Sequence, residues 1–254
     1  MGSNPIFSNK IMYLSLIFLS VLGSSFSGFF GKQLGSYSKF VTICCIFISL
    51  LHSVFVFYEV ALFGAPVYLT FINWFNSDIL MVNWGFMFDS LTVVMCVVVT
   101  FISFLVHLYS VEYMSHDPHL PRFMSYLSLF TFFMLILVTS DNFIQMFVGW
   151  EGVGLCSYLL INFWFTRIQA NKAAIKAMII NRIGDFALVL GILIIFVNFK
   201  SLDYASLNVL VPFLKNKTFD LFFIQFNLIN IICAFLFIGA VGKSAQIGLH
   251  TWLP

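Results

Sequence analysis

Charge is scarce in this sequence. Its 254 residues include twelve Lys or Arg and ten Asp or Glu, 9% of the chain, for a net charge of +2. That leaves no basic surface for nucleic acid, and too few ionised groups to solvate a soluble protein of this size. Prolines number six, and no soluble domain, linker or low-complexity tail is evident. The five cysteines, Cys44, Cys45, Cys96, Cys156 and Cys233, sit inside apolar runs without CxxC spacing. They read as small core residues rather than disulfides or metal ligands.

What the chain has instead is apolar length. It is 61% hydrophobic, with a mean hydropathy of +1.02, which fits an all-α polytopic membrane protein. Runs long enough to span fall at about 11–30, 40–63, 86–109, 123–140, 142–165, 173–199 and 228–248. The short connections predict seven antiparallel helices in a single transmembrane domain covering residues 1–254. Between the second and third, 67–89 alternates on either side of Asn76-Ser77-Asp78 and reads as a β-hairpin on the membrane surface. The stretch Lys200–Asp220, with Pro212, reads as polar loop with one interfacial turn. Within it, Asn216-Lys217-Thr218 is a formal glycosylation sequon, meaningful only in a secretory lumen.

The loops after the first, third and fifth runs carry Lys32, Lys39, Arg122, Arg167 and Lys172; the opposite loops carry Lys10, Lys200, Lys215 and Lys217, offset by aspartates. The first set marks the inner face and puts the N terminus outside. Phenylalanine is abundant, at 34 residues. Its codons are T-rich, which suggests an AT-rich coding genome such as an organelle's.

Three charged positions within runs stand out: Glu151, the Arg182/Asp185 pair and Lys243. Glu151 sits in Gly149-Trp150-Glu151-Gly152-Val153-Gly154, about 15 Å into a ~30 Å hydrocarbon core. A carboxylate there is either a functional site or a protonated group tying two helices together. Asn181-Arg182-Ile183-Gly184-Asp185 places Arg182 and Asp185 three apart on one helix face. They read equally as a self-neutralising pair and as part of a transport path. Lys243 lies among Gly239, Gly242 and Gly248, in a seventh helix expected to be discontinuous. Broken backbone at membrane depth must line a cavity or be buried in protein, where a lysine can exchange its proton; a snorkelling lysine is the alternative. His250, seven residues on, is a relay candidate.

Other patterns fail. Gly242-Lys243-Ser244 resembles the end of a P-loop, but Phe237 stands where a glycine is required and no strand precedes it. The Gly149–Gly154 spacing is wrong for a dinucleotide fingerprint, so no direct NADH binding is expected. His116-Asp117-Pro118-His119 is a proline-broken loop rather than a metal site. His52 and His107 read as packed or interfacial histidines.

Taken together, Phe147–Gly154, Asn181–Asp185, Gly242-Lys243-Ser244-Ala245-Gln246 and Trp252-Leu253-Pro254 resemble chain 5 of respiratory complex I, NADH:ubiquinone oxidoreductase. Asp89-Ser90-Leu91-Thr92 and His107-Leu108-Tyr109-Ser110 fit as well, and the matches keep family order from about residue 86 onward. The resemblance implies the first half of an antiporter-like inverted-repeat fold and a proton-pumping subunit at the far end of the membrane arm. It also implies the mitochondrial inner membrane, and no cofactor in this chain; FMN, iron–sulfur clusters and ubiquinone serve the complex elsewhere. Glu151 corresponds to the family's glutamate of the fifth helix and Lys243 to the lysine of the broken seventh, an ion pair whose breaking moves a proton. Asp185 matches a carboxylate close to that pair, while His250 falls where the family tolerates other residues.

The family's chain is much longer, with a second inverted repeat and a lateral helix. The expected partners are therefore other membrane-arm subunits, the lipid bilayer, and a second chain carrying the rest of the subunit. Two other readings stand beside this one: the large subunit of a multisubunit Na+/H+ antiporter, and a non-pumping structural remnant of the arm.

Overall fold

The computed structural model describes residues 5–77, 80–214, 217–221 and 224–253; Asp78, Lys215, Asn216 and Pro254 lie outside them. Among the described residues, six helices are long and apolar enough to cross a membrane: α1 (Pro5–Leu34), α2 (Ser38–Phe57), α3 (Ser90–Tyr113), α4 (Leu120–Thr139), α5 (Phe143–Ile161) and α6 (Ile168–Phe199). A π-helical turn, Tyr58–Leu62, extends α2. Strands β1 (Val67–Ser77) and β2 (Leu80–Phe88) pair as the hairpin expected there.

Two expectations need correcting. The stretch after Lys200 is ordered structure: helix α7 (Tyr204–Leu214), then strand β3 (Thr218–Leu221), antiparallel to β4 (Ile224–Asn227). Tyr204-Ala-Ser-Leu-Asn-Val-Leu-Val carries an apolar helical pattern that the flanking lysines and Pro212 hide from a reading by composition. The seventh apolar run stops early. Helix α8 is Leu228–Lys243, 16 residues, about 24 Å at 1.5 Å per residue, and non-helical backbone follows.

Contacts divide the chain into two compact units. In the first, α1–α4 form a ring in which α1 meets α2, α2 meets α3, α3 meets α4 and α4 meets α1. Lipid is as apolar as leucine, so such a ring is held by close packing and polar pairs rather than by hydrophobicity. Each seam carries one. Ser15 Oγ lies 2.8 Å from His52 Nδ1 (α1–α2), and Ser53 Oγ lies 2.8 Å from Thr100 Oγ1 (α2–α3). His107 Nε2 lies 3.1 Å from Ser128 Oγ (α3–α4), and Ser24 and Ser125 exchange hydroxyl–carbonyl bonds of 2.9 and 2.8 Å (α1–α4). Pairs of this kind contribute about 0.6 kcal/mol each in membrane bundles. Asp89 starts α3 with a capping box to Thr92.

The second unit contains α6–α8 and the short segment Asp141–Gln145 at the start of α5. That segment is strapped to the α6–α7 junction. Asn142 bridges Asp203, the Phe143 N–H donates to the Leu202 carbonyl (3.2 Å), and the Tyr204 N–H donates to the Asp141 carbonyl (3.1 Å). Asn142 also caps α5, its Oδ1 accepting from the Gln145 N–H at 2.8 Å, while its Nδ2 donates to Asp141 Oδ1 and to the Asn83 carbonyl.

Burial pushes the Asp141 carboxyl above the usual carboxylate range; the Asn142 hydrogen bond opposes the shift and the Asp203 charge adds to it. Burial raises Asp203 in the same direction. An acid whose pKa is raised by folding holds more protons folded than unfolded. The stability it gives is therefore complete below the unfolded pKa and is lost as pH rises through the folded one. Hydrogen exchange at the Phe143 and Tyr204 amides, corrected for intrinsic pH dependence, should accordingly gain protection as pH falls through the carboxylate range. Asp141→Asn should flatten that response; an unchanged pH profile would show that the carboxyl pair does not control the strap.

Candidate functional site

Glu151 belongs to the first unit and is the ninth of the 19 residues of α5, so it lies at mid-helix, half-buried. Glycines on either side of it bring α5 against α4. A Cβ on Gly149 would fall 2.6 Å from the Leu137 amide nitrogen, and one on Gly152 would run into the Phe133 ring. No residue with a side chain fits either place without moving backbone or ring. The chain segment bearing the carboxylate is thus held to its neighbour by two contacts one turn apart on the same face of α5.

The other four residues belong to the second unit. Here α6 and α8 meet through bare backbone. A Cβ on Gly184 would lie 3.2 Å from the Gly242 Cα and 3.3 Å from the Gly239 carbonyl oxygen; one on Gly239 would lie 2.9 Å from the Leu188 Cβ. Asp185 and Lys243 each follow one of the two contacting glycines, so the contact fixes the depth of each along its helix. Asp185 is only 7% exposed, and Lys243 is half-buried. Arg182 differs from Asp185: it is exposed, beside Met178, Ile179, Ile183 and Phe186 on the outer side of α6.

Lys243 is the last residue of α8, and the helix is closed behind it in a defined way. The Gln246 N–H donates to the Val241 carbonyl (3.1 Å) and the Ala245 N–H to the Gly242 carbonyl (3.4 Å), with Ala245 in the left-handed region at φ 50°. This is a Schellman closure with alanine where glycine is usual, and left-handed backbone costs an L-residue about 1–2 kcal/mol. A second positive φ, 103° at Gly248, turns the chain again. The 3₁₀ turn His250–Trp252 then packs on α6. From it the Trp252 indole Nε1 donates to the Gly242 carbonyl at 3.1 Å. His250 opens this turn and is exposed.

Sequence reasoning gave Trp252 no role. Its signal was indirect: a helix ending at membrane depth leaves carbonyls that need donors, and an indole N–H ten residues on is one. Among the described residues, no group of three or more His, Cys, Asp or Glu is placed to hold a metal.

This chain is similar to known proteins in sequence and in fold. Residues 140–254 match the family model described as NADH:quinone oxidoreductase/Mrp antiporter, TM, and residues 74–124 the one described as NADH-Ubiquinone oxidoreductase (complex I), chain 5 N-terminus. Over 244 residues, 96% of this chain, the sequence is 59% identical to NADH-ubiquinone oxidoreductase chain 5 of Arabidopsis thaliana, covering 36% of that protein. The chain thus spans little more than a third of the length of such relatives. Its fold is shared with a chain of the membrane-bound sulfane sulfur reductase, an archaeal respiratory membrane complex (TM-score 0.79, 16% identity, 95% of this chain and 46% of that one). It is shared also with a chain of the Mrp complex of Dietzia sp. (TM-score 0.78, 20% identity, 96% and 25%).

The glycine contact can be tested directly. Gly242→Val places a side chain against the Gly184 backbone, which has no flexible end to give way, and overpacking of this kind costs about 1–3 kcal/mol. The variant should lower the thermal-inactivation midpoint of the assembled protein; an unchanged midpoint would mean the two helices are not held at this distance.

Proposed function

Because the chain belongs to the family of NADH-ubiquinone oxidoreductase chain 5, we propose that it is a proton-translocating part of the membrane arm of a respiratory NADH:quinone oxidoreductase. It resides, in this reading, in the mitochondrial inner membrane among other membrane-arm subunits. Electrons stay elsewhere: flavin, iron–sulfur clusters and quinone belong to other subunits, and this chain handles protons alone. The residues of the relatives beyond the matched part complete the path.

One observation carries the reading. Glu151, Asp185 and Lys243 each adjoin a glycine in close interhelical contact, with α8 ended and its carbonyls satisfied beside Lys243. The C-terminal end of a helix favours a cation, whereas apolar surroundings favour the neutral amine. An amine held between these opposing effects can change its charge when a proton arrives. Glu151, at mid-helix, is the carboxyl counterpart, and Asp185 is a buried carboxyl in the α6–α8 seam that biases Lys243. Arg182 and His250 lie at the margin of this path.

Glu151→Gln keeps volume and hydrogen-bonding capacity while removing the charge. Reconstituted in proteoliposomes, the complex with this variant should still reduce quinone but move fewer protons per electron. Lys243→Met should do the same. Wild-type ratios in both would refute the proposal. Co-purification with quinone-reductase subunits separates this reading from the antiporter one.

A further inference from the structure

The cavities beside α8 and on the outer side of α6 are lined mostly by apolar side chains. A different one, of about 470 Å³, opens between the end of α1 and the start of α4 in the first unit. Gly28 and Gly31 form one wall, because α1 lies too close to α4 there for side chains. A Cβ on Gly28 would fall 2.9 Å from Ser125 Oγ, and one on Gly31 2.8 Å from Pro121 Cβ. Lys32 enters from the last turn of α1, His119 and Arg122 from the first turn of α4, and Tyr126 closes the side. Among the described residues, no carboxylate lines it. The nearest in sequence, Asp117, accepts the His119 backbone N–H at 2.8 Å.

We propose that this cavity binds the phosphate of an anionic membrane phospholipid. Two basic side chains from different helices converge on it, and the positive end of the α4 dipole points the same way. The backbone N–H groups of the first turn of α4 are taken, since Leu120, Arg122 and Phe123 all donate to carbonyls. Recognition therefore rests on the Lys32 ammonium and on the Arg122 guanidinium, whose five donors are not exhausted by one partner. The occupant is a lipid rather than free phosphate because of what adjoins the cavity. The site lies at the ends of two candidate spans, at headgroup level. On the Lys32 flank of α1, one turn back, Phe29 is 87% exposed, an apolar surface for an acyl chain. The proposal rests on the chain's crossing a membrane and is independent of proton pumping.

The test uses the intact complex, in nanodiscs of phosphatidylcholine with or without phosphatidylglycerol. Spin-labelled phosphatidylglycerol should be immobilised on the wild type, and inorganic phosphate should not displace it. Each basic side chain lost should weaken binding about fivefold, and Lys32→Gln with Arg122→Gln about 30-fold, with labelled phosphatidylcholine unaffected. Undiminished immobilisation in the assembled double variant would overturn the proposal, as would displacement by millimolar phosphate, which would indicate a free-anion site. Should the double variant fail to assemble, wild-type complex labelled with a headgroup-proximal photoreactive phosphatidylglycerol decides. Crosslinks within 27–32 and 118–126 support the site; crosslinks confined to other segments reject it.

Discussion

The second unit depends on one close approach, that of Gly184 to Gly242. Within a bilayer, helices gain little from burying one apolar surface against another, so packing distance decides whether they associate. Two glycines opposite one another let α6 and α8 touch backbone to backbone. Asp185 and Lys243 follow as the next residues along each helix, and their level in the membrane is therefore fixed by the glycines. The first unit applies the same device to Glu151, where Gly149 and Gly152 hold α5 on α4. Glu151, Asp185 and Lys243 thus each adjoin a glycine packed against a neighbouring helix.

The second governing constraint is that polar groups out of water must find partners. It accounts for the hydroxyl and histidine pairs in all four seams of the α1–α4 ring. It also accounts for the end of α8, where the Schellman bonds and the Trp252 indole satisfy the last carbonyls. The left-handed Ala245 is tolerated because those bonds depend on it. A helix closed in this manner ends at its lysine, and the backbone beyond it turns at Ala245 and Gly248.

Much of this was legible in the sequence, for identifiable reasons. Long apolar runs have one stable form in a bilayer, and each of α1–α6 overlaps such a run. The alternation around Asn76-Ser77-Asp78 has the period of a strand, and β1 and β2 lie there. Glu151 and Lys243 stood out because charge in such runs is costly, and the glycines around Lys243 pointed to a broken helix without naming its partner. What escaped was set by tertiary context. The helix Tyr204–Leu214 and the β3–β4 pair were masked by Lys200, Lys217 and Pro212. The end of α8 fell at Lys243 rather than at Gly248 because Ala245, a strong helix former, takes the left-handed position. That Arg182 and Asp185 face different surroundings was not visible from their spacing alone.

If Glu151 exchanges a proton during turnover, its carboxyl must change state when the complex is reduced. Redox-triggered infrared difference spectroscopy of the intact complex reads that change as a protonated-carboxyl band. The proposed role requires such a band in the wild type and its loss in Glu151→Gln. A spectrum left unaltered by the substitution would contradict it, and Glu151 would then be a structural tie between helices.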